Sequence, residues 1–291
     1  MKVLLTGATG QVGWELQRCV PAGIELDAAG RAAIDLAADD VQARVLARAP
    51  DLIINAAAYT AVDRAETEPG QAFAVNAAGA GAVAAAARQL GARLIHLSTD
   101  FVFDGNASRP YSPDSSTAPI GVYGASKREG ELRVLEASDG AALIVRTSWV
   151  YSAHGSNFVK TMLRLMRERE RLAVVADQVG SPTWARLLAA AVWEIALNPA
   201  IDGILHWSDL GVASWYDFAV AIHEQACARN LLDERRALVI DPIATEDYPT
   251  PARRPAYSVL DKSRVLRELQ APRLHWRMAL GAMLDDLRLN P

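Results

Sequence analysis

The chain has 291 residues, 51% hydrophobic and 22% charged, a balance that supports one large or two modest globular domains with a substantial core. Its formal charge of −4, without any run of Lys or Arg, argues against nucleic-acid or membrane-surface partners, both of which favour a basic face. Cys19 and Cys227 lie far apart and outside any zinc-type spacing, as expected of free thiols in a reducing compartment.

Met1 to Leu5 lead straight into a glycine turn, which leaves no room for a signal peptide, and the small-apolar stretch Ala77 to Ala87 is shorter than the roughly 20 residues of a membrane span. A cytoplasmic protein is therefore expected, with 77–87 as a helix lying close against a sheet. Lys2 to Thr6 reads as the first buried strand. Gly7-Ala8-Thr9-Gly10-Gln11-Val12-Gly13 follows it, and Trp14 to Gln17 continues as helix. Strand, glycine turn and helix form the context a dinucleotide fingerprint needs. Gly7 would make the tight turn, Gly10 would admit the pyrophosphate, and Gly13 would let helix and strand pack closely. Helix amides would then face the phosphate charge.

A second strand, Ile24 to Ala29, ends at Gly30-Arg31, where an NAD-selective site usually places an acid on the ribose hydroxyls. Arg31 suits a 2′-phosphate and thus NADPH, while Asp27 and Asp35 leave room for NADH; a solvated loop arginine is the plainer alternative. Asp51 to Ala58 is a continuous apolar strand running into small residues, as a parallel strand buried on both faces should be. Asn76 stands in an apolar helix, either capping a backbone group or stabilising a kink. Arg93 to Leu97 forms a fourth strand, and Ser98 to Gly105 leaves its carboxyl end, the edge where open parallel sheets bind ligands.

Tyr123 and Lys127 are four apart, so on a helix they share a face and can point into the cleft that holds Thr99. A phenol, a lysine and a hydroxyl at a strand end can hand a proton to a carbonyl oxygen as hydride reaches its carbon. A neighbouring cation favours the phenolate, so Lys127 and an oxidised nicotinamide together are expected to lower the Tyr123 pKa from about 10. A solvated Tyr/Lys pair is the ordinary alternative, and the N-terminal glycine turn weighs against it.

Beyond Trp149 the strand-helix alternation changes. Phe158 to Arg171 is expected as a helix with Met162, Leu165 and Met166 on one stripe, and Leu187 to Leu197 as an apolar helix that returns to the first domain. Ser214 to Asp217 reads as a capping-box helix start, its aromatics as core. The proline-rich stretch Asp247 to Pro255 presents Arg253 and Arg254; these and Lys160 are candidates for an anionic diphosphate. The five histidines show no metal or triad spacing, and no metal is expected. The domains expected are a Rossmann-like doubly wound parallel sheet over 1–148 and a smaller, mainly substrate-binding domain over 149–291.

These motifs together resemble the extended short-chain dehydrogenase/reductase family, and within it the branch that reduces 4-keto nucleotide sugars. The residues that carry the resemblance are Gly7 to Leu16, Asn55 to Asp63, Ser98 to Gly105, Tyr123 to Lys127, Arg146 to Tyr151, Asn157 to Leu165, Asp177 to Thr183 and Tyr248 to Pro255. The resemblance implies reduction of the 4-keto group of dTDP-4-dehydro-L-rhamnose to dTDP-L-rhamnose with NADPH, NADH being possible. It makes Thr99, Tyr123 and Lys127 the catalytic set, with Tyr123 as proton donor and Lys127 on the nicotinamide ribose. It puts cofactor contacts on Gly7, Gln11, Val12, Gly13, Asp35, Leu36, Ala57 and Ala58. Substrate contacts fall on Thr60, Val62, Thr99, Phe101, Tyr123 and Trp149, with Arg253 as a diphosphate candidate.

Two departures stand out. Phe101 replaces a tyrosine of some relatives, and the counterpart of an acidic ligand in a magnesium-bridged dimer is Arg186, a cation that supplies no oxygen. A monomer or homodimer without that metal is expected, with Glu15 as a first-turn helix acid. A non-catalytic cofactor-binding subunit is the main alternative, although such subunits often lose part of the Thr/Tyr/Lys set. A dehydratase or epimerase of nucleotide sugars is the other; Phe101 stands where a dehydratase would carry an acid.

Overall fold

The structure, a computed structural model, describes residues 1–289. Five parallel strands come from the first half: β1 (Lys2–Thr6), β2 (Glu25–Ala29), β3 (Leu52–Asn55), β4 (Arg93–Thr99) and β5 (Leu143–Thr147). Between them lie α1 (Gln11–Arg18), α2 (Val41–Leu46), α3 (Val62–Ala65), α4 (Pro69–Phe73), α5 (Ala80–Leu90) and α6 (Val122–Ala137). From one edge the sheet runs β2, β1, β3, β4, β5 and then a sixth parallel strand, Ile204–His206. The order reverses between β1 and β3, the switch point where open α/β sheets bind ligands.

Alternation of side chains along the strands sorts the core into two layers. Leu4, Ile53 and Leu94 point to one face and pack with Val41, Val45, Val83 and Val134 of α2, α5 and α6. Val3, Leu5, Leu52, Ile54, Ile95 and Leu97 point to the other, against Leu16 of α1 and Leu188 and Val192 of the helix Ala185–Leu197. Both faces are therefore covered by helices, which is why these strands read as unbroken apolar runs.

The sheet does not stop at residue 148. Its sixth strand and the helix 185–197 come from the second half, and Trp193 Nε1 donates to the Leu16 carbonyl at 3.0 Å. The remainder of that half builds three two-stranded pairs and the helices Phe158–Glu168, Trp215–Cys227 and Trp276–Leu289. No helix among the described residues is long and apolar enough to cross a membrane.

Three local expectations are settled here. Ser214 caps its helix through the Asp217 amide at 3.0 Å while Asp217 accepts from the Ser214 amide at 2.9 Å, a complete capping box. The helix from Phe158 ends at Glu168, short of Arg171, because Arg169 turns extended and Arg171–Val175 pairs with Val239–Ile243, burying Leu172 and Val174 with the period of a strand. Glu15 is not in the first turn of α1. It lies a turn further on, fully buried, accepting from Ser152 Oγ at 2.8 Å and facing Arg18 at 3.4 Å and Arg186 at 3.9 Å. Burial raises its pKa, with Ser152 as the strongest opposing influence.

Candidate active site

A cavity of about 1020 Å³ opens where β1, β3, β4 and β5 end. Its floor begins with the glycine turn. Gly7 has φ 73°, and a Cβ there would lie 2.6 Å from the Ala57 amide nitrogen. A Cβ on Gly13 would lie 2.2 Å from the Gly7 carbonyl oxygen, so α1 rests directly on the turn. Gly13 thus packs beneath the cavity, while Gly7, Gly10, Gln11 and Val12 line it.

Along the same floor lie Arg31, Asp35, Leu36, Ala57 and Ala58. Arg31 pairs with Asp35 at 3.1 Å on the surface, and the Ala37 amide, with Arg31 second to it, holds the Asp35 carboxyl below its usual range. Together the glycine turn, the small side chains of Ala57 and Ala58 and the start of α1 fit a dinucleotide, because Gly7 and Gly10 bring backbone to the cavity surface beside a helix N-terminus.

The opposite wall carries the chemistry. Thr99 closes β4; its hydroxyl donates to Asp100 Oδ1 at 3.0 Å and accepts from the Phe101 amide at 3.2 Å. Tyr123 and Lys127 lie on consecutive turns of α6, both on the cavity wall. Thr99 and Tyr123 share the cavity wall, and the Phe101 ring meets the Tyr123 ring edge-on at 5.4 Å.

Lys127 alone does not acidify Tyr123: burial pushes the phenol up to about 12, Thr99 pulls it down, and the Asp100 charge pushes it up again. Lys127 instead turns inward: Nζ donates to the Leu97 carbonyl at 2.7 Å and lies 3.4 Å from His96 Nε2. Desolvation outweighs the attraction of Glu131 and brings the lysine down to about 8. Asp100, almost fully buried beside them, is raised by burial to about 6.

The far end of the cavity is made by Thr60, Val62, Trp149, Trp215 and Arg254. Trp149 and Trp215 stack at 3.5 Å, so the aromatic of the 215–227 helix is cavity wall as well as core. Of the two adjacent arginines, Arg254 reaches the cavity, held by Asp63 at 2.8 Å, whereas Arg253 is exposed and off its wall. Lys160 is also off the wall, its ammonium on the Ala153 carbonyl at 3.1 Å.

Asn76 sits in a π-helical turn, Ala74–Gly79, between α4 and α5. Its side chain accepts from the Tyr59 amide at 2.8 Å, donates to the Tyr59 carbonyl at 3.0 Å and reaches Ser126 Oγ at 3.0 Å. It therefore caps backbone groups and ties the loop after β3 to the helix of Tyr123 and Lys127. His96, Asn55, Asp100 and Trp215 are the site-forming residues that motif spacing alone does not single out. The visible signal for the first two is a polar side chain inside an otherwise apolar buried strand.

A phenol and a buried lysine one helical turn apart, facing a dinucleotide turn across one cavity, define the class: an oxidoreductase of the extended short-chain dehydrogenase/reductase type. Comparison with known proteins narrows it. The profile of the RmlD substrate binding domain matches residues 1–289, and the chain belongs to that family. It is 43% identical to dTDP-4-dehydrorhamnose reductase of Burkholderia thailandensis, over 99% of both chains. The crystal structure of a dTDP-4-dehydrorhamnose reductase from Clostridium acetobutylicum superposes with a TM-score of 0.91 at 36% identity, covering 99% of this chain and 100% of that one. The Bacillus anthracis reductase in complex with NADP does so with 0.89 at 36% identity, covering 98% and 99%.

Proposed function

We propose that this chain reduces the 4-keto group of dTDP-4-dehydro-L-rhamnose to dTDP-L-rhamnose, using NADPH in preference to NADH. The observation that carries this reading is the grouping of Thr99, Tyr123 and Lys127 on the wall of a cavity whose floor suits a dinucleotide. The names of the relatives, one of them solved with NADP, support both substrate and cofactor.

The reduced nicotinamide supplies a hydride to the sugar carbonyl carbon when it is bound. Tyr123 gives its phenolic proton to the carbonyl oxygen, and Thr99 orients the phenol and stabilises the charge that grows on that oxygen. A phenol raised to about 12 stays protonated in the resting protein, which is the form a proton donor requires. Lys127 lines the same wall, where the family resemblance places the ribose contact. Trp149 and Trp215 offer an apolar face to sugar or base, and Arg254 is our candidate for the diphosphate over Arg253, because it lines the cavity and Arg253 does not. With Glu15 hydrogen-bonded to Ser152 and faced by Arg186, we read the assembly as a monomer or a homodimer without a bridging metal.

The test is NADPH oxidation with the keto sugar nucleotide by the wild type and Tyr123→Phe. Loss of about 100-fold or more in turnover with NADPH binding retained is expected, the share a general acid usually contributes. Reduction by the variant at the wild-type rate would remove Tyr123 from the chemistry.

A further inference from the structure

Beneath the cavity runs a line of buried polar side chains that the reaction above does not use. Thr6, Asn55 and His96 are neighbours across β1, β3 and β4, in register and each 0% exposed, and Lys127 stands at the end of the line. The direction of its hydrogen bonds can be read from one fixed donor. The Ala57 backbone N–H can only donate, and it lies 3.2 Å from Asn55 Oδ1, which also takes the Thr6 hydroxyl at 2.7 Å. The other end of that amide, Nδ2, faces His96 Nδ1 at 3.1 Å. An amide NH₂ only donates, so Nδ1 must carry the ring's lone pair, and a neutral ring then carries its proton on Nε2. Complete burial keeps this imidazole neutral.

Nε2 is the atom 3.4 Å from Lys127 Nζ. An ammonium has three donors and no lone pair, so Nε2–H opposite it is donor facing donor. A neutral amine completes the line: one N–H goes to the Leu97 carbonyl at 2.7 Å, and the lone pair receives Nε2–H.

We propose that Asn55 and His96 are a positioning pair that sets the proton state of Lys127, the amide fixing the imidazole as its Nε2–H tautomer and the imidazole favouring the neutral amine over the ammonium in the ligand-free chain. Other groups around Nζ act in known directions. Leu97 on β4 tolerates either form, and Glu131 on α6 favours the ammonium, although its carboxylate is engaged by Arg146 and Arg128. Asp100, on the turn after β4, acts on Tyr123. The lysine therefore gains or loses its proton in the neutral range, where an uncoupled buried amine beside a carboxylate would stay charged. Only the consequence for catalysis rests on the reductase reading; the tautomer and the lysine's proton state do not.

The experiment uses the full chain without ligands. Long-range ¹H–¹⁵N correlation spectra of the ¹⁵N-histidine-labelled protein, with His96 assigned through His96→Gln, are expected to show Nε2–H; finding Nδ1–H overturns the proposal. Lysine ¹³Cε titration of Lys127 is then compared with Asn55→Asp, whose carboxylate accepts Nδ1–H and turns the Nε2 lone pair toward Nζ. The Lys127 midpoint is expected to rise by about one pH unit or more; an unchanged midpoint overturns the proposal. If the variant fails to fold, the wild-type tautomer decides alone. Neither readout involves turnover, so a failed reductase assay and a failed tautomer assignment are separate results.

Discussion

Arg146 and Glu131 meet as two parallel hydrogen bonds, Nε to Oε1 and Nη2 to Oε2, each 2.8 Å, with side chains 2% and 0% exposed. The pair joins β5 to α6 one turn beyond Lys127, so it fixes the helix that presents both Tyr123 and Lys127. Burial works against the Glu131 charge, and the Arg146 bonds overcome it, leaving the carboxyl below its usual range. Removing one partner strands a buried charge. Arg146→Met is expected to cost about 3–5 kcal/mol in urea unfolding, and the double variant with Glu131→Leu to recover much of it. A single variant within about 1 kcal/mol of wild type would show the pair to be dispensable.

Arg31 is the residue on which to test cofactor choice. It is an exposed side chain that, among the described residues, is bonded only to Asp35, so a 2′-phosphate would take it over at little cost. Arg31→Ala is expected to raise KM for NADPH about tenfold, the equivalent of one charge-assisted hydrogen bond, and to leave KM for NADH within about twofold. Equal changes for both cofactors would place the arginine outside the phosphate site.

Gly180 controls the tryptophan wall. Trp149 holds φ 47°, and a Cβ on Gly180 would lie 2.5 Å from its indole Cε2. Gly180→Ala must displace the indole from its stack on Trp215, at about 1–3 kcal/mol for an overpacked contact. A raised KM for the sugar nucleotide with an unchanged KM for NADPH is expected; the reverse would put the tryptophans on the cofactor side.

Asp209 gives stability a pH dependence. Its Oδ2 accepts from the Trp184 amide at 2.9 Å, and burial pushes the carboxyl up to about 8. The folded chain therefore holds this proton more tightly than the unfolded chain does. That contribution is complete below the unfolded value of 3.8 and is lost as pH rises through about 8. Lys262, whose charge draws the carboxyl down and whose own pKa is lowered by burial, acts in the opposite sense. Between about pH 4 and 8 the melting temperature is expected to fall with rising pH more steeply for wild type than for Asp209→Asn. Parallel curves would contradict the raised carboxyl.

Local spacing made much of the site legible. The glycine turn, the Tyr123/Lys127 pair and Thr99 are short-range patterns, and a strand or a helix turn carries each of them directly onto the cavity. Residues whose role depends on distant partners were not legible. Nothing in Arg253-Arg254 says which arginine will find Asp63, almost two hundred positions earlier along the chain. Trp215 reads as core until Trp149 is seen against it. The lowered phenol pKa expected for Tyr123 presumed that two side chains on one helix face act on each other. In the fold, Lys127 satisfies itself on β4, and desolvation outweighs charge.

The pairing of Ile204–His206 with β5 bears on how the molecule can be divided. Ile204, Leu205 and His206 lie beside Ile144, Val145 and Arg146, covering the backbone edge that β5 would otherwise expose, at the end of the sheet opposite β2. A fragment cut after residue 148 would bare that edge together with the apolar face that the 185–197 helix shields, an invitation to self-association. The two halves are consequently expected to melt as one cooperative unit, because each supplies part of the other's sheet and core.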